Sequence, residues 1–133
     1  LKFRYNTLES ARQNAKALSL KGARYPWMCS SHGLEQCESW DTGCCEVHIT
    51  ADVAYAIDNY VKTSGDNEFL INYGAEILIE TARYWVSRFT YDSNEDVYNM
   101  IFVKGPNEYG GCTINNTYTN WMAVNNLKLA RYN

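Results

Sequence analysis

Glu108 sits in the stretch FVKGPNEYGGCTINNTYTNWMA, residues 102 to 123, between an apolar run and a helix-like pattern. Gly105 and Pro106 end the run and stiffen the backbone, and Gly110 and Gly111 release it again. A carboxyl group on such a loop, beside Tyr109 and other aromatics, is expected to be partly desolvated. Desolvation raises a carboxyl pKa and keeps the group protonated near neutrality, as a general acid for glycosidic cleavage requires. Asn115, Asn116 and Asn120 add neutral donors and acceptors, which suit hydroxyls better than charges. The competing reading of the residues alone is an ordinary turn with an exposed acid.

Two other constellations carry chemistry. In ARYPWM, Pro26 forces Tyr25 to an extended backbone and sets Trp27 at the start of a loop, where an indole either caps the core or forms a sugar platform. In EVHITADVAYAI, Glu46 and His48 alternate with Val47 and Ile49, so both polar side chains point one way just before a helix. That suits a polar cleft wall, and equally helix capping or a satisfied buried histidine. Cys29, His32, Cys37, Cys44, Cys45 and His48 have the ligand types of a zinc site, but their spacing lacks the two close pairs of a structural zinc centre, and no metal is expected.

These groups need elements to position them. Thr7 is placed as the N-cap of a helix running to about Leu20, with Leu8, Ala11, Ala15 and Leu18 on one face and Gly22 as the stop. Residues 23 to 47 have no period and form a long loop, which in a compact domain is usually functional. A second helix opens at Thr50 or Asp52 and ends at Gly65, where Asp66 caps the next. Phe69 to Phe89 reads as helix, with Gly74 a point at which it splits. RFTY, DSNED and VYNMIFV, residues 88 to 103, read as a β-hairpin, and a further helix begins near Thr119. The expected organisation is mostly α, with a hairpin inserted before the Glu108 loop.

Composition bounds the rest. The 133 residues are 46% apolar and 20% charged, as in a folded globular domain. A net charge of −3 with no Lys/Arg block argues against nucleic-acid or membrane-surface partners. No apolar run is long enough to span a bilayer. Five cysteines, an odd number, in a chain large enough to hold a core without staples point to reduced thiols and a cytoplasmic setting. The first residue is Leu1, and the pattern of Trp121, Met122, Val124, Leu127 and Ala130 is still running at Asn133, so the chain reads as a piece of a larger protein.

FRYNTLESARQNAKALSLKGARYPWMCS, HITADVAYAIDNYVKTSGDNEFLINYGAEILIETARYWVSR and VKGPNEYGGCTINNTYTNWMA, in that order, resemble the catalytic domain of family 65 of the glycoside hydrolases. The family consists of inverting phosphorylases acting on maltose, kojibiose, nigerose or trehalose, with a few hydrolases. The resemblance implies that residues 1–133 are a fragment of one (α/α)6 barrel, and that Glu108, in the Gly-Pro-Asn-Glu-Tyr motif, is the general acid. It also implies substrate-binding roles for Trp27, Glu46, His48, Asn107, Tyr118 and Asn120. Disaccharide and inorganic phosphate would be the substrates, with no cofactor. After the motif, Gly110, Gly111 and Cys112 depart from the family's common pattern, and the family's upstream Trp-Asp element and phosphate-binding loop lie outside these residues. An inverting hydrolase and a non-catalytic helical fragment or binding module stay open. The isolated chain is expected to be catalytically silent, with helix faces that need a homo-oligomer or the rest of the barrel; Leu78, Trp85, Val86, Phe89, Tyr55, Ile57 and Tyr60 mark those faces.

Overall fold

The computed structural model describes residues 1–132; Asn133, where the last amphipathic pattern stops, lies outside the described residues. The order of elements is α1 (Lys2–Asn6), α2 (Leu8–Ala17), α3 (Trp40–Cys45), α4 (Ile49–Ser64), α5 (Asn67–Phe69), a π turn (Leu70–Gly74) and α6 (Ala75–Arg88). Strands β1 (Thr90–Asp92) and β2 (Val97–Asn99), a 3-10 turn (Glu108–Gly110) and α7 (Thr117–Tyr132) complete it. The expectation of a mostly helical chain with a hairpin before the acid loop is met. β1 and β2 pair antiparallel, with Tyr91 opposite Tyr98.

α7 packs on both α4 and α6, and the core divides into two clusters along them. Val53, Ala54 and Ile57 of α4 and Ile77 and Leu78 of α6 join Leu8, Ala11, Tyr25 and Phe69 in the first. Tyr84 and Trp85 of α6 meet Met122 and Ala123 of α7, with Val47, Met100 and Val103, in the second. Helical spacing produces this split, because residues one or two turns apart on α6 share a face but face different neighbours. Asn126, wholly buried on α7, accepts the indole N–H of Trp85 at 3.0 Å and donates to the Leu78 carbonyl at 3.3 Å. A buried amide is tolerable only when its donors and acceptors are met in this way.

Several boundaries differ from the sequence expectation. Thr7 does not cap α2 with its side chain; its hydroxyl donates back to the Phe3 carbonyl at 2.8 Å, joining a preceding short helix to α2. α2 ends at Ala17, because Ser19 turns left-handed at φ 58° and the Leu20 N–H closes on the Ala15 carbonyl. Gly22 does something else: at φ 69° it lets the chain touch α6, where a Cβ would lie 2.2 Å from the Glu80 carbonyl oxygen. The aperiodic stretch 23 to 47 contains α3, α4 opens at Ile49, and α7 opens at Thr117. Gly74 does not split the third long helical segment; it closes a π turn and lies where a Cβ would crowd Ile57 of α4. Gly65 and Asp66 behave as expected, the first left-handed and the second accepting the Phe69 N–H at 2.8 Å. Of the side chains expected to face absent neighbours, Ile57, Leu78 and Trp85 are buried within the chain, whereas Tyr55, Tyr60 and Val86 are exposed.

Candidate functional site

The polar site forms where the loop after Ala23, the start of α4, the Glu108 loop and the start of α7 converge. Glu35 shapes the first loop. Its carboxylate accepts the backbone N–H groups of Trp27 at 2.7 Å, Met28 at 2.9 Å and Cys37 at 3.1 Å, and also faces the guanidinium of buried Arg24 at 3.4 Å. Arg24 in turn donates to the Gly43 carbonyl, which ties the loop to α3. The loop is thus held by one carboxylate.

Trp27 is pinned by its backbone, and its indole N–H donates to Glu46 Oε2 at 2.9 Å and Glu108 Oε1 at 3.2 Å. Glu46, between α3 and α4, is 3% exposed. Its other oxygen meets His48 Nε2 at 3.2 Å, and His48 Nδ1 meets Asp52 Oδ2 at 2.7 Å, one helical turn on. Asp52 Oδ1 accepts the Tyr118 hydroxyl at 2.8 Å, and the Tyr118 ring stands edge-on to His48. Six side chains from distant parts of the sequence form one continuous network.

Its electrostatics follow from that arrangement. Burial works against a charged His48, but the bonds to Asp52 and then to Glu46 outweigh it, so its pKa lies above the ordinary value. In the protonated form, which the two carboxylates favour, both ring nitrogens donate. Burial raises the Glu46 carboxyl first; contact with Glu108 raises it further, and the bonds from His48 and Trp27 pull it back only in part. Burial and the bond to Asp52 push the Tyr118 phenol up to about 12. Lys104 lies close by but is held by Asp41 Oδ2 at 3.1 Å and the Thr42 hydroxyl at 3.2 Å.

One expectation is corrected. Glu108 is exposed and Tyr109 is fully exposed, so the phenol does not shield the acid; the desolvated carboxyl at this site is Glu46. Trp27 is likewise neither fully buried nor a free platform, being 40% exposed with its N–H engaged.

The structure brings Trp27, Glu46, His48, Glu108 and Tyr118 together, with Asn107 exposed on the loop immediately before Glu108. Asn120 is not among them. Its amide nitrogen donates to Asn115 at 3.2 Å, and it lines an open apolar cleft with Val86, Phe89, Tyr98, Val124 and Leu127. Sequence reading missed Asp52 and Glu35 as site residues. The first had a signal, its place four residues after His48 on a helix; the second, in an aperiodic loop, had none. The cysteines are all free, with Cys45 buried and its thiol pushed up to about 12 by burial and by contact with Cys112. Among the described residues no group of three or more His, Cys, Asp or Glu side chains is placed to hold a metal, and no helix is long and apolar enough to cross a membrane.

The profile of the glycosyl hydrolase family 65 central catalytic domain matches residues 1–133. The chain belongs to that family. It is 42% identical to kojibiose phosphorylase of Caldanaerobacter subterraneus subsp. tengcongensis, over 96% of this chain and 18% of that protein. It is 44% identical to alpha,alpha-trehalose phosphorylase of Thermoanaerobacter brockii, over 96% of this chain and 16% of that protein. Maltose phosphorylase of Bacillus subtilis is 37% identical over 93% and 16%. A solved chain from the human microbiome, named provisionally as a kojibiose phosphorylase, superposes with a TM-score of 0.93 at 35% identity, covering 98% of this chain and 19% of that one. The chain therefore spans less than a fifth of the length of these relatives, and its helices are consistent with part of an (α/α)6 barrel.

Proposed function

We propose that residues 1–133 supply the acid-bearing part of a single (α/α)6 catalytic domain in an inverting α-glucosyl disaccharide phosphorylase. The observation that carries this reading is the exposed Glu108 carboxyl, in the Gly-Pro-Asn-Glu-Tyr loop, held against an indole N–H in a chain of glycosyl hydrolase family 65. Glu108 gives its proton to the interglycosidic oxygen as the C1–O bond breaks, and an oxygen of inorganic phosphate forms the new bond to C1 from the opposite face. The products are β-glucose 1-phosphate and a free acceptor sugar. Phosphate is a co-substrate here, and the chemistry calls for no cofactor.

An inverting hydrolase needs a second carboxylate as base, about 6.5–9.5 Å from the acid, with a water between. Glu46 and Glu108 accept the same Trp27 N–H, too close together for Glu46 to take that role. The preference for phosphate, already a nucleophile, over an activated water rests on the phosphorylases among the relatives that this chain matches. Trp27 stands against the acid and Asn107 precedes it on the loop, while His48 and Tyr118 hold the wall behind through Glu46 and Asp52; the indole face and the Asn107 amide are the groups left to meet a sugar. Five free thiols support a reducing, cytoplasmic setting.

The test is phosphate-dependent release of β-glucose 1-phosphate by the full-length polypeptide carrying these residues, offered kojibiose, trehalose, maltose and nigerose in turn. Release of glucose without phosphate would replace this reading with the hydrolase, and no product in either form would leave a binding module.

A further inference from the structure

Glu46 is a buried acid that the reaction as written does not use. The indole N–H of Trp27 has one hydrogen and two carboxyl acceptors, Glu46 at 2.9 Å and Glu108 at 3.2 Å. The two acceptors differ in constraint. Glu46 is locked from behind by His48, which is locked by Asp52, which is locked by Tyr118. Glu108 is exposed, on a loop with glycines at 105, 110 and 111, and meets this wall through the indole and through Glu46 itself.

We propose that Glu46 is a positioning residue for Glu108, and that the two carboxyls, joined across the Trp27 indole, retain one proton between them in the resting enzyme. This rests on the reading of Glu108 as the general acid. Every charged group facing the pair bears on it. His48, at the N-cap of α4, supplies one positive charge, but shares it with Asp52. Lys104, on the segment leading to Gly105, has its charge matched by Asp41 of α3. The Trp27 loop contributes a neutral N–H, and Tyr118 of α7 is a neutral phenol spent on Asp52. Two full negative charges at the indole are therefore not compensated, and adjacent like charges of this kind hold a proton. When Glu108 releases its proton to the glycosidic oxygen, the charge left on the pair is shared by the indole N–H, and the next proton enters from solvent at the exposed Glu108.

The experiment uses the full-length enzyme and compares a disaccharide with α-glucosyl fluoride, each with phosphate, across pH 5 to 9. Fluoride departs with little acid assistance, so it reports everything except proton donation. Glu46→Gln removes the neighbouring charge. We expect the alkaline limb of kcat for the disaccharide to move to lower pH, about tenfold in activity above the limb for each unit moved. KM should hold, and the fluoride reaction should lose less than the disaccharide reaction, because Glu46 acts on the proton and not on the sugar. Trp27→Phe keeps an aromatic ring, though a smaller one, and deletes the N–H, so the same limb should move to higher pH, since an anion that loses a donor binds its proton more tightly. Opposite displacements in the two variants support the proposal. An unmoved limb in either variant, equal losses on both donors, or a loss carried by KM overturns it, the last making Glu46 a sugar ligand. If Glu46→Gln does not accumulate as folded protein, Trp27→Phe decides alone. A wild-type enzyme that forms no glucose 1-phosphate from either donor removes the underlying reading, and this one with it.

Discussion

The two loops that build the site are held in opposite ways. Residues 23 to 48 are fixed along their length: Glu35 gathers three backbone N–H groups and a buried guanidinium, and Glu46 is enclosed. Residues 105 to 116 are tied mainly at their ends, and between them through the Trp27 N–H that Glu108 accepts at 3.2 Å. Val103 and Thr113 bridge in both directions, at 3.0 and 2.7 Å, and Asn115 bonds Met100 through both its N–H and its side chain, while Glu108 and Tyr109 stand in solvent. The difference teaches where preorganisation resides. Dipoles and charges that must not move belong to the first loop, and Glu108, which under the proposed function reaches a substrate oxygen, belongs to the second.

The comparison is broken most severely at its exposed side. Glu108→Gln in the full-length polypeptide should lower phosphorolysis of a disaccharide by roughly 10²–10⁴-fold, the range for one acid group, and lower the reaction of a glucosyl fluoride far less. Equal losses would make Glu108 a structural residue. Breaking the fixed side should appear in stability. Glu35→Ala leaves Arg24 buried with its partner gone and three N–H groups unmatched, which costs about 3–5 kcal/mol by analogy with other broken buried pairs. The expected reading is a fall in thermal midpoint and faster proteolysis within residues 26 to 38, whereas Tyr109→Ala, in solvent, should change neither.

Gly105 marks the hinge between these behaviours. A Cβ there would lie 2.4 Å from Nδ2 of Asn116, whose Oδ1 accepts the Thr119 N–H at 3.0 Å and so caps α7. Gly105→Ala should displace that amide and cost about 1 kcal/mol, the usual worth of an N-cap. Because Glu108 follows three residues later, kcat should fall with it; a stable, fully active variant would mean that the loop ends tolerate movement.

What could be read beforehand follows the same division. The helices of the core were legible because Leu8, Ala11 and Ala15, and again Leu78 and Trp85, repeat at helical spacing, and the Glu108 loop was legible as a loop because glycine and proline punctuate it. Glu46 and His48 were placed on one side by alternation alone, and they do meet. The burial of Glu46 in place of Glu108 was not legible, since it depends on Trp27 arriving from nineteen residues upstream. Glu35 was hidden for a related reason: a carboxylate that satisfies backbone N–H groups leaves no side-chain periodicity. Helix ends were missed where a left-handed residue that is not glycine, Ser19, closed the turn.

The smallest expected effect probes the fixed side by its charge. His48 titrates above its ordinary value of about 6.5 because it is bonded to Asp52 and Glu46. The folded state therefore binds that proton more tightly than the unfolded chain, and stability from His48 is complete below about pH 6.5 and is lost as pH rises through the higher folded value. Glu46, also raised, acts with the same sign over a window that opens at the ordinary carboxylate value, about pH 4.3. The effect is modest because a neutral imidazole keeps one N–H and one of its two bonds. Thermal midpoints of the wild type and His48→Gln, recorded from pH 6 to 9, should converge as pH rises, the wild type falling more steeply. Parallel curves would mean that His48 is not charged between its two carboxylates, and the wall would then be held by shape rather than by charge.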